Sequence, residues 1–261
     1  MKYPIRSMMV APKGKVLIAL DLSQAETWVV AHLAESEVML DALYNSDIHS
    51  VTAKYLFDIN STDDPTKDQR YTGKKFNHAK SYRTGPFKIV EMINKEQLIT
   101  ISIKDAKKYD KKWNELYNLD AWWRRIETNL DQNNRVMTTV YRFKRTFLAP
   151  WGLDLFKEAT AFEPQSTVAD HTTGAIQPEI GIEGGILGIY NDVKKNKEIK
   201  LVQTAHDSII VESPTSIKDE ITGIMIKNMR RPLLINGKQF TIPVDVDEGE
   251  RWGELEKVKV T

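Results

Sequence analysis

Two apolar strands that each lead to an aspartate constrain the fold of this chain more than any other sequence feature. The run 16–20 follows a turn containing proline and glycine, which predicts a buried strand that ends at Asp21. The runs 199–204 and 208–212 flank a polar tip that contains Asp207, the pattern of a β-hairpin. If these strands are neighbours in one sheet, both carboxylates can point into one cleft.

Two carboxylates in one cleft suit magnesium chemistry. Mg²⁺ takes oxygen ligands and keeps several waters, so one or two carboxylates plus substrate phosphates suffice to hold it. Two such ions about 3.5–4 Å apart can stabilise both the attacking and the leaving oxygen of an in-line phosphoryl displacement. Taken singly, an aspartate after a strand is more often a turn former or a helix cap, and this alternative stays open for Asp21 and Asp207.

The rest of the chain mixes helical and strand patterns. A first helix is predicted to begin after Ser23, which caps it, and to end at about residue 35, with Glu26 completing a capping box. Further helices are predicted over 47–57, 68–83, 103–135, 165–176 and 213–229. Further strands are predicted within 136–155, on both sides of a turn at 150–152, and over 240–246. The pattern predicts a mixed α+β fold, and the tryptophans of 103–135 are interpreted as core residues.

Composition limits the partners and the compartment. Lys and Arg total 37 against 36 Asp and Glu, so the net charge of +1 gives no global attraction to nucleic acid, and any DNA contact needs local basic patches. The absence of cysteine excludes disulfides and thiolate metal sites and fits a reducing compartment. No apolar run approaches the roughly 20 residues of a membrane span. We therefore expect no membrane association and a cytoplasmic, intracellular location, in the host cytoplasm if the protein is viral.

Six segments in one order resemble the family A DNA polymerases, the group that contains bacterial DNA polymerase I. Residues 21–26 with 31–33 resemble motif A, and 47–49 with 52–53 resemble the next conserved stretch of that family. The segment around Arg70, Lys74, Asn77 and Tyr82 is similar to motif B, and Gln165 to Asp170 is similar to a palm segment near primer and template. His206-Asp207 with Ile209 and Val211 is similar to motif C, and Pro243 to Trp252 is similar to the family's C-terminal strand.

The resemblance implies a template-directed DNA polymerase with an antiparallel palm sheet and a helical fingers subdomain. It implies a first palm part at 1–57, fingers at 58–135 and a second palm part at 136–261. Asp21 and Asp207 would be catalytic and, with the backbone carbonyl of Leu22, would hold two Mg²⁺ ions. The partners implied are primer–template DNA and deoxynucleoside triphosphates.

A nucleotide-binding helix face is predicted around motif B. Arg70, Lys74, His78 and Tyr82 recur every four residues, so they drift slowly around one face of a helix. The planar fork of Arg70 and the compact charge of Lys74 suit a triphosphate, although a solvated basic face is the ordinary alternative. By resemblance, Glu26 pairs with Tyr82 and excludes ribonucleotides.

Contacts to DNA are implied at three further residues. By resemblance His206 lies under the primer terminus, and a structural histidine in a turn is the alternative. Gln165 is expected near the minor groove, where acceptors common to all base pairs allow geometry to be checked. Asn77, one of the residues that are similar to motif B, is also predicted to contact DNA.

Several departures from the family pattern favour a second hypothesis. His78 stands where the family usually has Phe or Tyr, Arg83 replaces a glycine, and Ser208 replaces the glutamate after the motif C aspartate. Motif A also begins only 21 residues from Met1, where the family places a thumb and often an exonuclease domain. We therefore expect a fragment or a split polymerase whose thumb lies on a separate polypeptide. The alternative is a weakened or inactive polymerase-like protein that binds primer–template DNA or a partner subunit.

Overall fold

The computed structural model describes residues 5–95 and 100–259, which form two compact units. One unit comprises Met1–Ala25, Val140–Arg142 and Ser166–Thr261, and the other comprises Glu26–Thr139 and Phe143–Gln165. The division into a palm at 1–57 and 136–261 with fingers at 58–135 stays a prediction. Residues 1–4, 96–99 and 260–261 of those ranges lie outside the described residues.

A five-stranded antiparallel sheet is the framework of the first unit. Its strands, in chain order, are β1 (Lys15–Leu22), β4 (Lys200–Ala205), β5 (Ser208–Pro214), β8 (Val244–Gly249) and β9 (Glu256–Val258). Their order across the sheet is β4-β5-β1-β8-β9, which places β1 at the centre. Two short hairpins lie outside this sheet: β2 (Val136–Thr138) with β3 (Lys144–Thr146) in the second unit, and β6 (Pro232–Ile235) with β7 (Lys238–Thr241) in the first.

The central strand has one fully buried face and one face that lines a cavity. Ile18, Leu20 and Leu22 alternate along β1 and have no exposed surface. Helix α10 (Lys218–Met229) packs against this face, and α9 (Gly185–Val193) packs on α10. Burial of each such side chain contributes about 1.5–3 kcal/mol. The opposite face of β1 carries Asp21, so the alternation of the strand fixes where this carboxylate points.

The second unit is mainly helical. Its helices are α1 (Ala25–Ala34), α2 (Glu37–Asn45), α3 (Ile48–Phe57), α4 (Lys67–Ser81), α5 (Pro86–Lys95), α6 (Ile103–Tyr117) and α7 (Asp120–Gln132), and α8 (Leu153–Thr173) continues from this unit into the first. Helix α4 begins with a capping box in which Thr66 and Gln69 bond each other's backbone N–H, which satisfies two donors at the helix start. Trp113 and Trp122 are 0% and 2% exposed, which confirms that they are core residues.

The predicted strands around the two aspartates are confirmed, as are the helices over 47–57 and 68–83. The helix predicted over 103–135 is two helices, because Asn118 adopts a left-handed φ of 44° between them. Helix α1 begins at Ala25 rather than directly after Ser23, since Gln24 has a φ of 55°. Helices α2, α5 and α9 were not predicted.

The prediction for 136–176 is wrong in two places. The hairpin β2–β3 turns at 139–143, whereas residues 150–152 lead into α8. Helix α8 then begins at Leu153 rather than near residue 165, with Pro164 inside it. Proline lacks an N–H and disfavours a helix interior. Here Leu155, Ala159 and Val168 are completely buried along α8, so burial of apolar surface outweighs the local cost of Pro164.

Over the part of the chain that the structure describes, none of the helices has the length and apolarity needed to cross a membrane.

Candidate active site

The register of the central sheet brings three site positions into one row. Asp21 on β1 is the direct partner of Ser208 on β5 and of Asp245 on β8. Directly opposite residues in an antiparallel pair project from the same face of the sheet. The side chains of Asp21, Ser208 and Asp245 therefore lie on one face of the sheet. Asp247, two residues further along β8, lies on the same face beside Ala19.

Asp21 and Asp207 lie within hydrogen-bonding reach of each other. Asp21 opens into the cavity, yet the surrounding sheet removes enough water from its carboxylate to raise its pKa. Burial is the largest cause, followed by the charge of Asp207 and the hydrogen bond with it, and then by Asp245 and Asp247, so that the pKa of Asp21 rises to about 7. The backbone ties the two strand ends together as well, since the N–H of Leu22 donates to the carbonyl of Asp207 over 3.0 Å.

The donor set of this pair fits a hard divalent cation held largely by phosphate and water. In the described ranges, 5–95 and 100–259, no group of three or more His, Asp or Glu side chains converges to hold a metal ion. Mg²⁺ needs only one or two protein carboxylates when phosphates complete its shell. Two carboxylates that repel each other are also the arrangement that a dication stabilises. Asp21 and Asp207 therefore fit the predicted role.

A cavity of about 600 Å³ opens above this face of the sheet. Its lining includes Asp21, Asp207, Ser208, Asp245, Asp247 and His206, together with the cations Arg6 and Lys257. The Nζ of Lys257 lies 2.7 Å from Oδ1 of Asp245, and the Arg6 guanidinium lies 5.1 Å from the centroid of the Trp252 ring. The cavity is thus lined by four aspartates and two cationic side chains.

The hairpin tip between β4 and β5 carries the two motif C residues. His206 adopts a left-handed φ of 49° and is exposed, the conformation of a tight turn. Ser208 closes the turn, because its hydroxyl donates to the carbonyl of Ala205 over 3.0 Å. Where the family places a glutamate, this chain therefore has a hydroxyl that is used in its own turn.

In the second unit, a carboxylate at the start of α3 clamps Arg70. Nε of Arg70 lies 2.6 Å from Oδ2 of Asp47 and NH2 lies 3.0 Å from Oδ1, a bidentate pair. Asp47 also caps α3 by accepting the N–H of Ser50. Burial alone would raise the pKa of Asp47, but the hydrogen bonds from Arg70 and Ser50 outweigh it and lower that pKa to about 2. The fork of Arg70 is therefore oriented in advance.

Lys74 and His78 follow Arg70 on the exposed face of α4, which agrees with the predicted stripe. Their neighbour His49 is buried, and its pKa falls to about 4 because burial is reinforced by the charges of Arg70 and Lys74, against the opposing effect of Asp47. The ring of His78 meets that of Tyr82 edge to face, with centroids 5.6 Å apart. A cationic and aromatic surface thus runs along the last three turns of the helix.

Three predicted site residues come together at the end of α4. The hydroxyl of Tyr82 donates to Oε2 of Glu26, which lies in the first turn of α1. Gln165 also hydrogen-bonds the side chain of Tyr82. Burial, followed by the charge and hydrogen bond of Glu26, raises the pKa of Tyr82, so the phenol stays protonated. The pairing implied by the resemblance is present in the structure.

Asn77 lies in the core of this unit instead of on its surface. It is 1% exposed, and its Oδ1 accepts from Thr52 Oγ1 at 2.9 Å and from Trp113 Nε1 at 2.8 Å. Its Nδ2 lies 3.2 Å from Nδ1 of His49. Because both ends of the amide are used inside the unit, we do not propose a DNA contact for Asn77.

Sequence reasoning missed Asp245, Asp247 and Asp47. The alternation Asp245-Val246-Asp247, at the end of the predicted strand over 240–246 and one residue beyond it, is a period-two signal that places both acids on one face. The motif resemblance includes Asp47 without giving it a role, although an aspartate before a helix is a common N-cap. Among the predicted residues, Asp21, Asp207 and His206 lie in the first unit, and Glu26, Arg70, Lys74, His78, Tyr82 and Gln165 lie in the second.

The fold and the motifs have clear relatives. The polymerase (POL) domain of Pol1 from M. smegmatis, solved in complex with DNA primer-template and dNTP, matches this structure with a TM-score of 0.77 at 18% identity, over 97% of this chain and 43% of that one. DNA polymerase I of Borreliella burgdorferi is 24% identical over 96% of this chain and 26% of its own length. DNA polymerase I of Lactococcus lactis is 27% identical over 96% of this chain and 27% of its own length.

The family model of DNA polymerase family A matches residues 1–254. The chain therefore belongs to DNA polymerase family A. It spans about a quarter of the length of these two curated relatives. The α+β class predicted from the sequence is confirmed by the observed helices and antiparallel sheet and by the structural match.

Proposed function

We propose that this chain forms the palm and fingers of a template-directed DNA polymerase, with palm parts at 1–57 and 136–261 and fingers at 58–135. The observation that carries the proposal is that Asp21 and Asp207 are adjacent in one cavity beside the central strand, in a chain of family A. In the reaction, the primer 3′-hydroxyl loses its proton to solvent water, and its oxygen forms a bond to the α-phosphorus of a deoxynucleoside triphosphate. The bond between that phosphorus and its bridging oxygen breaks, and pyrophosphate leaves.

Asp21, Asp207 and the carbonyl of Leu22 would hold two Mg²⁺ ions. When bound, these ions supply Lewis acidity to the attacking hydroxyl and to the leaving pyrophosphate. The two aspartates contribute by lying next to each other before the ions bind, so little rearrangement is needed on binding. Because the pKa of Asp21 is raised to about 7, a dication bound beside it would favour the ionised form of this carboxyl.

Arg70 and Lys74 would bind the triphosphate. The clamp of Asp47 uses Nε and NH2 of Arg70, which leaves the NH1 edge of the guanidinium for a phosphate oxygen. Lys74, one turn further along α4, adds a flexible point charge on the same exposed face. His78, with its ring against Tyr82, would contact the sugar of the nucleotide.

The Glu26–Tyr82 pair would select the deoxyribose. Glu26 is occupied by the Tyr82 hydroxyl, so a ribose 2′-hydroxyl placed against this pair meets groups that are already bonded. Displacing a satisfied hydrogen bond without replacing it is costly, which gives selectivity. Gln165 and His206 would contact the primer–template near the new base pair.

A binding-only role is the second candidate, and Ser208 favours it. Its hydroxyl closes the hairpin tip, and it supplies no carboxylate beside Asp207. Such a protein would hold primer–template DNA or a partner without extending the primer. A thumb and exonuclease region, on the same or another polypeptide, is a further proposed partner, because phosphate contacts by a thumb supply much of the affinity for duplex DNA.

Single-nucleotide incorporation tests the proposal. A labelled primer is annealed to a template whose next base is thymine, and the protein is supplied with Mg²⁺, low salt and one nucleotide at a time. We expect extension with dATP and not with the other three, and its loss on adding a chelator. Retention of the DNA in a gel shift without any product would support the binding-only role instead, and addition without regard to the template would contradict both.

A further inference from the structure

Arg83, directly after Tyr82, adopts a backbone conformation that glycine normally provides. Its φ is 59°, in the left-handed region. The turn is closed by two hydrogen bonds of 3.0 Å, from the N–H of Arg83 to the carbonyl of Lys80 and from the N–H of Thr84 to that of Ala79. An arginine at this position therefore needs compensation from the contacts of its side chain.

Those contacts enclose the guanidinium of Arg83 on several sides. NH2 donates to Oε1 of Glu127 on α7, in an ion pair whose side chains are 16% and 31% exposed. The guanidinium also lies 5.3 Å from the Trp123 ring centroid and 5.6 Å from that of Phe156. A charge-assisted bond together with two cation–π contacts offsets the cost of removing the charge from water. Arg83 is thus anchored to α7.

Helix α7 also holds the helix that carries Glu26. NH2 of Arg125, two residues before Glu127, donates to the carbonyl of Leu33 at the end of α1, and NH1 lies 3.4 Å from Oε2 of Glu35. One helix therefore contacts both members of the selective pair indirectly. It reaches Tyr82 through Arg83 and Glu26 through α1.

Tyr82 needs such support because it lies beyond the regular helix. Helix α4 ends at Ser81, and the N–H of Tyr82 donates to the carbonyl of Ala79 over 3.3 Å and to that of Lys80, which is the pattern of a helix end. Helix ends fray, so the position of Tyr82 depends on the residue that follows it. We infer that Arg83 is a positioning residue, anchored by Glu127, that holds Tyr82 against Glu26 and so sets discrimination between deoxyribo- and ribonucleoside triphosphates.

This inference rests on the proposed function, and its test separates the two. Arg83→Gly removes the side chain and keeps the left-handed turn unstrained, while Glu127→Gln keeps the shape of the anchor and removes its charge. Glu158→Gln is the matched control, since Glu158 pairs with Arg145 in the same unit. For each protein we measure kcat and KM for dATP and for ATP in primer extension, and the thermal unfolding midpoint.

We expect the dATP-to-ATP ratio of kcat/KM to fall about tenfold in Arg83→Gly and in Glu127→Gln, with kcat for dATP within about threefold of the parent. The double variant should match the single ones, because both changes break one contact. Glu158→Gln should keep the parent ratio.

An unchanged ratio in both variants, with the parent active, overturns the inference and leaves the proposed function standing. A loss of kcat for both nucleotides that follows the unfolding midpoint assigns Arg83 a general structural role and also overturns the inference. If the folded parent neither extends a primer nor binds dATP in a direct titration, both proposals fall together.

Discussion

The two units hold their site residues in different ways. In the first, backbone pairing between β1, β5 and β8 places Asp21, Ser208 and Asp245 in one row, and the side chains have little freedom to be elsewhere. In the second, the carboxylate of Asp47, at the start of α3, orients the exposed Arg70 of α4. The sheet register thus brings like charges together, which helps to raise the pKa of Asp21. The helical unit instead pairs opposite charges and polar groups. The first arrangement suits a cation, and the second suits an anion.

Neutralising single aspartates in the sheet should give the largest effect and sharpen this comparison. We expect Asp21→Asn to lower the rate of extension by about a thousandfold, roughly 4 kcal/mol, because it removes one of the two proposed metal ligands. Asp245→Asn should lower the rate by less than about tenfold, since Asp245 already pairs with Lys257. Single-turnover kinetics on both variants checks this order. Equal losses of rate would contradict this order and show that Asp245 contributes to extension as much as Asp21 does.

The buried histidine of the first unit should make its stability depend on pH. Nδ1 of His171 lies 2.8 Å from the Tyr141 hydroxyl, and burial, followed by the charge of Arg231, lowers the pKa of His171 to about 3. The unfolded chain, with a pKa near 6.5, binds more protons between these values, so stability falls as the pH drops through this range.

From about pH 7 to pH 5, the His171 contribution should fall by about 2 kcal/mol. Urea unfolding of the parent and of His171→Gln at both pH values isolates this contribution from those of the acids. A difference between the two proteins that does not change with pH would contradict the assignment.

Removing the exposed cation of α4 should affect binding rather than chemistry. We expect Lys74→Ala to raise KM for the nucleotide about tenfold with little change in kcat, since a phosphate contact on an exposed helix face contributes about 1.4 kcal/mol. Steady-state kinetics measures both constants. Lys75→Ala is the control, because the amino group of Lys75 lies over the Tyr71 ring, 5.3 Å from its centroid. A comparable rise in KM for both variants would indicate a diffuse charge effect.

Loosening the clamp on Arg70 should give the smallest effect. Asparagine can still cap α3, so Asp47→Asn keeps the helix start and removes only the charged clamp. We expect KM for the nucleotide to rise about threefold, because Arg70 loses its fixed orientation while a half-exposed ion pair contributes at most about 1 kcal/mol. Steady-state kinetics shows whether KM for the nucleotide rises or falls in Asp47→Asn. A lower KM would mean that Asp47 competes with phosphate for Arg70.

Local patterns predicted the elements around the site well. The strand that ends at Asp21, the hairpin that carries Asp207 and the helix of Arg70 to Tyr82 all rest on periodicity and turn signals within short segments. The role of Asp245 depends on register between β1 and β8, which no local pattern fixes. The prediction of one strand over 240–246 is also wrong, since β7 and β8 are separate strands and Pro243 lies between them.

Burial accounts for most of what the sequence could not show. Asn77 has the same helical spacing as a surface residue, yet Thr52 and Trp113, which are distant in sequence, bring it into the core. Pro164 favours a helix start, but the apolar residues of α8 on both sides of it are packed and the helix continues. The pairing of Arg83 with Glu127 likewise joins the turn after α4 to α7, two segments that no motif connects. In each case, contacts between residues distant in sequence determine the local structure, and local patterns do not show them.

The most direct test of the central claim is single-turnover extension of a labelled primer–template by the parent, Asp207→Asn and Asp219→Asn at equal folded concentration. Asp219 is the matched control, because its side chain is 94% exposed in the first turn of α10. If Asp207 acts with Asp21 in nucleotidyl transfer, the parent and Asp219→Asn extend the primer alike and Asp207→Asn is slower by about a thousandfold. Extension by Asp207→Asn at the parent rate would contradict the account.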